Sequence, residues 1–246
     1  MSTGIWMAAS GASSQLTALE ATANNLANAT TAGYKTEQVV FREHLIAAVH
    51  AGRAQKEMRY NGVAEIASDM RSGPLKVTGN PLDVAIEGDQ GFFAVQTPQG
   101  ERYTRAGAFQ IGPGGALLTS QGYSVLDGGG SPLSVPMEGG RVAIGEDGLV
   151  RVDGEDVGQL KVVGFRELRG LEKEGDQLFR STARSGAPEP LAVKLSGEAL
   201  EMPNVSIVKG MTDLVSATRA FEALQRAVEA FSQLEHRAAT DIVGAR

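Results

Sequence analysis

The chain has 246 residues, of which 42% are apolar, 21% charged and 5% aromatic; its net charge is −6 and its isoelectric point is near 5.2. That length allows one or two domains, and the acidic balance argues against a surface that tracks nucleic-acid phosphates. With no cysteine there is no disulfide framework, thiolate nucleophile or cysteine zinc site, and no apolar run approaches the ~20 residues of a membrane span.

Helix breakers are unevenly placed. Of 31 glycines only Gly4, Gly11 and Gly33 fall in the first forty residues, and only Gly210 and Gly244 fall after Pro203. All nine prolines lie between Pro74 and Pro203. Both ends therefore favour helix and the middle favours turns.

Residues 1–33 carry a single charge, Glu20, and the first basic residue is Lys35. A cleavable signal peptide would need an earlier basic region and an unbroken apolar stretch, so any export is expected to use another route. Ile5, Ala9, Ala12, Leu16, Leu19, Ala23 and Leu26 are spaced 4-3-4-3-4-3, an a/d stripe that predicts a helix with one seam. The Asn-rich run at 24–28 and then Gly33 would end it. A helix of this length is marginal alone, so it needs a partner.

Residues 34–73 are mixed and polar, with Phe41, Leu45, Ile46 and Val49 at helix-compatible spacing; they are expected to be a connector. From 74 to 202 the pattern is that of short strands and tight turns. Candidate strands are Asp83–Glu87, Phe92–Gln96, Arg102–Arg105, Ala108–Ile111, Leu149–Val152, Gln159–Phe165 and Leu191–Leu195. Asp147-Gly148 and Asp153-Gly154 are hairpin dipeptides on either side of one of them.

Residues 203–246 repeat the helical theme. Leu214, Ala217, Phe221, Leu224, Val228 and Phe231 follow 3-4-3-4-3, with Ser206 as N-cap and Gly244 as stop. Arg219, Glu222, Arg226 and Glu229 supply the charged face. The simplest partner for each terminal seam is the other. The expected fold is α+β: paired, coiled-coil-like N- and C-terminal helices with an inserted all-β domain.

A search for chemistry finds little. There is no H-E-x-x-H, phosphate-binding G-x-x-x-x-G-K-[ST], G-x-G-x-x-G or G-x-S-x-G, and the acidic turn at Asp153, Glu155 and Asp156 lacks the EF-hand glycine and glutamate. Asp83 and Glu87 could in principle form a glycosidase pair, but carboxylates at a strand edge more often serve solubility. No catalytic, cofactor or metal residue is expected.

Three blocks resemble the bacterial flagellar rod and hook proteins. Residues 23–35, ANNLANATTAGYK, are similar to that family's N-terminal signature, carried by Asn24, Asn25, Leu26, Asn28, Gly33 and Tyr34. Residues 79–93 and 103–109 resemble its β-domain, and Pro203-Asn204-Val205 with Arg219–Ala223 its C-terminal signature. The resemblance implies a structural subunit of the basal-body rod. Its terminal helices would form a core layer lining a channel, with the β-domain outside. The implied partners are other rod subunits, further copies of itself and the flagellar type III export apparatus, without nucleic acid or membrane insertion. The implied location is the rod crossing the periplasm. Phe41 and Leu45 are similar to the Phe-x-x-x-hydrophobic gate-recognition motif of exported rod and hook subunits. Length and the single modest β-domain fit the rod rather than the longer hook proteins, the last helix resembles that of a proximal rod subunit, and Pro203 stands where distal rod and hook proteins usually have Ser. The alternatives are a distal rod subunit and, in another class, a cell-wall-acting enzyme or glycan-binding module.

Overall fold

The computed structural model describes residues 3–46, 58–136 and 140–244; within them the side chains of 3, 41–46, 58–65, 235–236 and 238–244 fall outside the description. The chain divides into two compact units, one of Met1–Ala27, Glu37–Ala67 and Ser206–Arg246, the other of Asn28–Thr36 and Ser68–Val205.

The first unit holds two long helices. Helix α1 (Thr3–Ala27) contains no proline and two glycines in 25 residues, and α2 (Ile207–Gly244) runs for 38. At 1.5 Å per residue they are about 37 and 57 Å long. Ser206 caps α2 as expected, its Oγ accepting the Lys209 N–H at 3.4 Å and its carbonyl the Gly210 N–H at 2.8 Å. The helices lie side by side and antiparallel. A β-carbon placed on Gly4 would stand 3.1 Å from the Phe231 ring, one on Gly11 3.5 Å from Leu224, and one on Gly210 3.8 Å from Leu26.

Between the helices in sequence, the described residues of the connector include two paired strands and no helix. Strands β1 (Glu37–Ile46) and β2 (Met58–Ser68) pair with each other. Phe41, Leu45 and Ile46 lie on β1, while Val49 lies outside the described residues. The run Val39-Val40-Phe41 has strand preference, and pairing with β2 outweighs the helical spacing.

The second unit is built of short antiparallel strands. In chain order they are β3 (Leu75–Val77), β4 (Val84–Ile86), β5 (Phe92–Thr97), β6 (Gly100–Thr104), β7 (Phe109–Ile111), β8 (Leu117–Thr119), β9 (Ser124–Val125), β10 (Val142–Ile144), β11 (Leu149–Val152), β12 (Glu155–Gln159), β13 (Val162–Gly164), β14 (Glu172–Gly175), β15 (Leu178–Arg180), β16 (Glu189–Pro190), β17 (Leu195–Gly197) and β18 (Ala199–Glu201). The main sheet has the order β14-β15-β6-β5-β9-β8-β7, with β13 also on β5 and β16 on β13. Strands β10-β11-β12 form a second sheet, and β4-β17 and β3-β18 form two ribbons.

Strand β5 is the hub because both of its faces are buried. By period-2 alternation Phe93 and Val95 enter a cluster with Val84, Leu117, Val125, Val150 and Leu195, while Phe92 and Ala94 enter another with Tyr103, Phe165 and Phe179. The rings pack edge to face, Phe92 5.7 Å from both Phe165 and Phe179. Asp153 and Gly154 both have positive φ, 51° and 92°, the two-residue type I′ geometry between β11 and β12. Two expected strands differ. Of Leu191–Leu195 only Leu195 is in a strand, and Gln159–Phe165 is divided, since Leu160 makes a single bridge to Asp127 before β13 begins at Val162.

Candidate assembly site

On α1 the face turned inward is a row of small residues. Ala8, Ser14, Ala21 and Asn25 are buried, and Gly4 and Gly11 receive Phe231 and Leu224. The apolar stripe expected as the seam lies about one residue further round. Its Ile5, Ala9, Ala12, Leu19 and Leu26 are half-buried, while Leu16 and Ala23 are exposed. The reason is volume: a helix face that meets Phe and Leu can approach closely only where its own side chains are small. On α2, Leu214, Ala217, Phe221, Leu224 and Val228 of the expected row are half-buried, Leu224 stands against Gly11, and the partly exposed Phe231 lays its ring against Gly4. The heptad of small residues Gly4, Gly11, Ala18 and Asn25 was the available signal, and counting apolar residues alone passes over it.

Other apolar side chains on the same helices are left open. Trp6 is 64% exposed and Leu16 42% on α1, and Val208, Met211 and Val215, on one face of α2, are 79%, 54% and 52% exposed. They form an unpartnered surface within one chain.

The signature residues do another job. Asn25 closes on the backbone of Glu37, its Nδ2 donating to the carbonyl and its Oδ1 accepting the N–H, each at 2.8 Å, so the start of β1 is pinned to the last turn of α1. Leu26 packs on Gly210, whereas Asn24 is exposed on the helix. Asn28 opens the turn that follows α1, its carbonyl accepting the Thr31 N–H at 3.0 Å and its Oδ1 the Thr31 hydroxyl at 3.3 Å. Gly33 has φ +74° and donates its N–H to the Glu201 carbonyl at 2.8 Å. A side chain there would also run into the backbone of Arg105 and Ala106. Tyr34 is buried beneath the Lys173 ammonium, 3.9 Å from the ring centroid. From the C-terminal signature, the Asn204 Oδ1 accepts the Thr36 N–H and hydroxyl at 2.9 and 2.7 Å, and its Nδ2 donates to the Asp69 and Arg71 carbonyls. Residues 28–36 and 203–205 thus pack with the β unit, although helix-forming segments were expected to reach to 33 and from 203. Phe41 and Leu45 sit on β1 with their side chains outside the described residues.

The carboxylates considered for catalysis are engaged separately. Asp83 is buried and accepts from Thr78 Oγ1 at 2.7 Å and Asn80 Nδ2 at 2.8 Å. Glu87 accepts from Ser196 Oγ at 2.8 Å, which holds its carboxyl below the usual range. Among the described residues no three His, Cys, Asp or Glu side chains group as a metal site, and no helix is long and apolar enough to cross a membrane.

Comparison with known proteins matches this plan in three parts. Residues 5–35 match the family described as flagella basal body rod protein, 85–152 the flagellar hook protein FlgE/F/G D1 domain, and 196–240 the flagellar basal body rod FlgEFG protein C-terminal region. The flagellar basal-body rod protein FlgF of Caulobacter vibrioides is 34% identical over 89% of both chains. The rod protein FlgG of Bacillus subtilis is 33% identical over 87% of this chain and 89% of its own, and FlgG of C. vibrioides 32% identical over 92% and 94%. Matches that run from α1 through the β unit into α2, with a FlgF relative at this identity over nearly the full length of both chains, place this protein in the flagellar basal-body rod and hook family.

Proposed function

We infer that this protein is a structural, non-enzymatic subunit of the flagellar basal-body rod, and that it polymerises through its two long helices. Family membership supplies the rod; the observation that carries the mechanism is the surface those helices leave open. An antiparallel pair buries one face of each helix. The Val208, Met211 and Val215 row on α2, and the exposed Trp6 and Leu16 on α1, remain for neighbouring subunits. We read the pair itself as a coiled-coil-like seam, with Gly4, Gly11 and Ala18 on α1 level with Phe231, Leu224 and Ala217 on α2. The row Ile5–Leu26 then flanks this seam, and the row Leu214–Phe231 supplies its α2 side. The β unit would make lateral contacts.

The FlgF relative supports a proximal position, and the FlgG relatives, nearly as similar over comparable shares of the chain, support a distal one; we favour the proximal. Export by the flagellar type III apparatus, with Phe41 and Leu45 as its recognition pair, and residence in the periplasm-crossing rod complete this reading.

The test is Met211→Asp in the full chain. A charge on an exposed face should leave the fold intact by circular dichroism while abolishing incorporation into purified basal bodies, because burying it at a subunit interface without a partner is costly. Normal incorporation with normal folding would refute the helical-face mechanism. Crosslinking of incorporated wild-type protein, with identification of its neighbours, separates the proximal from the distal position.

A further inference from the structure

Three charged side chains are sealed inside the β unit where its first and last segments meet. The side chains of Lys35, Arg105 and Glu201 are each at most 1% exposed. The Lys35 Nζ donates to Glu201 Oε1 at 2.7 Å and to the carbonyls of Met70 and Arg71 at 3.3 and 2.8 Å. Glu201 Oε1 also accepts the Gly73 N–H at 2.9 Å. From the other side Arg105 Nη1 stands 3.7 Å from Glu201 Oε2, its Nη2 donates to the Gly88 carbonyl at 2.7 Å, and its guanidinium lies 5.3 Å from the Phe92 ring centroid. Asp89, which accepts the Ser72 N–H at 2.7 Å, adds a more distant negative charge.

One buried carboxylate therefore serves two buried cations. Remove it and two positive charges face each other in a dry site; remove Lys35 and Glu201 loses its closest partner. The backbone joins the same segments. Gly33 N–H donates to the Glu201 carbonyl, Asp69 N–H to the Thr36 carbonyl and Thr36 N–H to Asn204 Oδ1. A side chain on Gly73 would meet the Met202 carbonyl, so these strands of chain are in close contact. Lys35 lies eight residues past the end of α1, and Glu201 six residues before the start of α2.

We propose that Lys35, Arg105 and Glu201 form a charge latch that closes the β unit only when residues 28–36 and 201–205 are seated together. The latch makes the two flanks one cooperative element, released as a pair and never singly.

Hydrogen exchange on the full chain tests this. The reporters are the amides of Gly33, Thr36, Asp69 and Gly73, with β5 and β6 as internal reference. Glu201→Gln should speed exchange at all four on the order of a hundredfold or more relative to β5 and β6. Lys35→Met should open the same four amides, although its substitution lies on one flank alone. Adding Lys35→Met to Glu201→Gln should slow exchange again, since one of the two facing cations is gone. Deprotection confined to the substituted segment would overturn the latch, as would a double variant no better protected than Glu201→Gln. If Glu201→Gln alone fails to fold, recovery of the β-sheet circular dichroism in the double variant supports the latch, and its failure to recover overturns it.

Discussion

Asp176 and Gln177 hold positive φ, 46° and 57°, in the turn between β14 and β15. This is the type I′ requirement met without glycine in either place, whereas Asp153-Gly154 meets it with glycine second. A side chain in the left-handed region costs about 1 kcal/mol. Gln177→Gly should therefore raise stability by about 0.5–1 kcal/mol, seen as a higher urea midpoint; an unchanged or lower midpoint would show the turn to be unstrained. Tyr103 stores a different sensitivity. Burial first, and then the Glu101 carboxylate, push its phenol from 10.0 up to about 12. Between pH 10 and 12 the unfolded chain has lost a proton that the folded one keeps, so stability falls as pH rises. By pH 11.5 the loss is about 2 kcal/mol relative to pH 9. Urea midpoints of wild type and Tyr103→Phe should converge or cross over that interval, since the variant lacks the group. Parallel curves would exclude Tyr103 as the cause. Neither site shows in sequence: Tyr103 reads as an ordinary strand aromatic, and Asp-Gln is no turn signal.

The helix pair shows how far periodicity reaches. The helical character of both ends was legible because proline is absent and glycine rare there, and so were Leu224 and Phe231 of α2, which meet Gly11 and Gly4. The inward row of α1 was not, because its defining residues are small and a hydrophobicity count favours the adjacent Leu and Ile positions. The two glycines of α1 now separate into different classes. At Gly11 a β-carbon would make ordinary contact with Leu224, so Gly11→Ala should gain about 0.5–1 kcal/mol of helix propensity. At Gly4 the β-carbon would press on the Phe231 ring at 3.1–3.3 Å, so Gly4→Ala should gain less or nothing. Thermal unfolding followed at 222 nm checks the order, and a larger gain at Gly4 would mean that the register of the pair is wrong. The pairing of β1 with β2 was illegible for the opposite reason: the helix-like spacing on β1 was overridden by a strand partner supplied from twelve or more residues away.

Across the whole molecule, the partition into breaker-free ends and a turn-rich middle was plain in the sequence, as were the Asp-Gly turns and the strands around Phe92 and Phe93. The junctions were not. Asn25, Asn204 and Lys35 could be recognised as parts of signatures, but their partners Glu37, Thr36 and Glu201 are identified only by the fold, and Lys35 and Glu201 are 166 residues apart. Local pattern carries no information across such a gap. That gap also sets a clock. A chain made from its N-terminus at ~5–20 residues per second needs about 10–30 s after Lys35 is made before Glu201 exists. The first α2 residues that pair with α1 come later still. Throughout that interval α1, with Glu20 as its lone charge and Trp6 and Leu16 on its surface, has been synthesised but has neither its helical partner nor the closed β unit beside it in sequence. The order of synthesis, rather than the stability of the finished fold, thus decides how long that apolar surface stays uncovered.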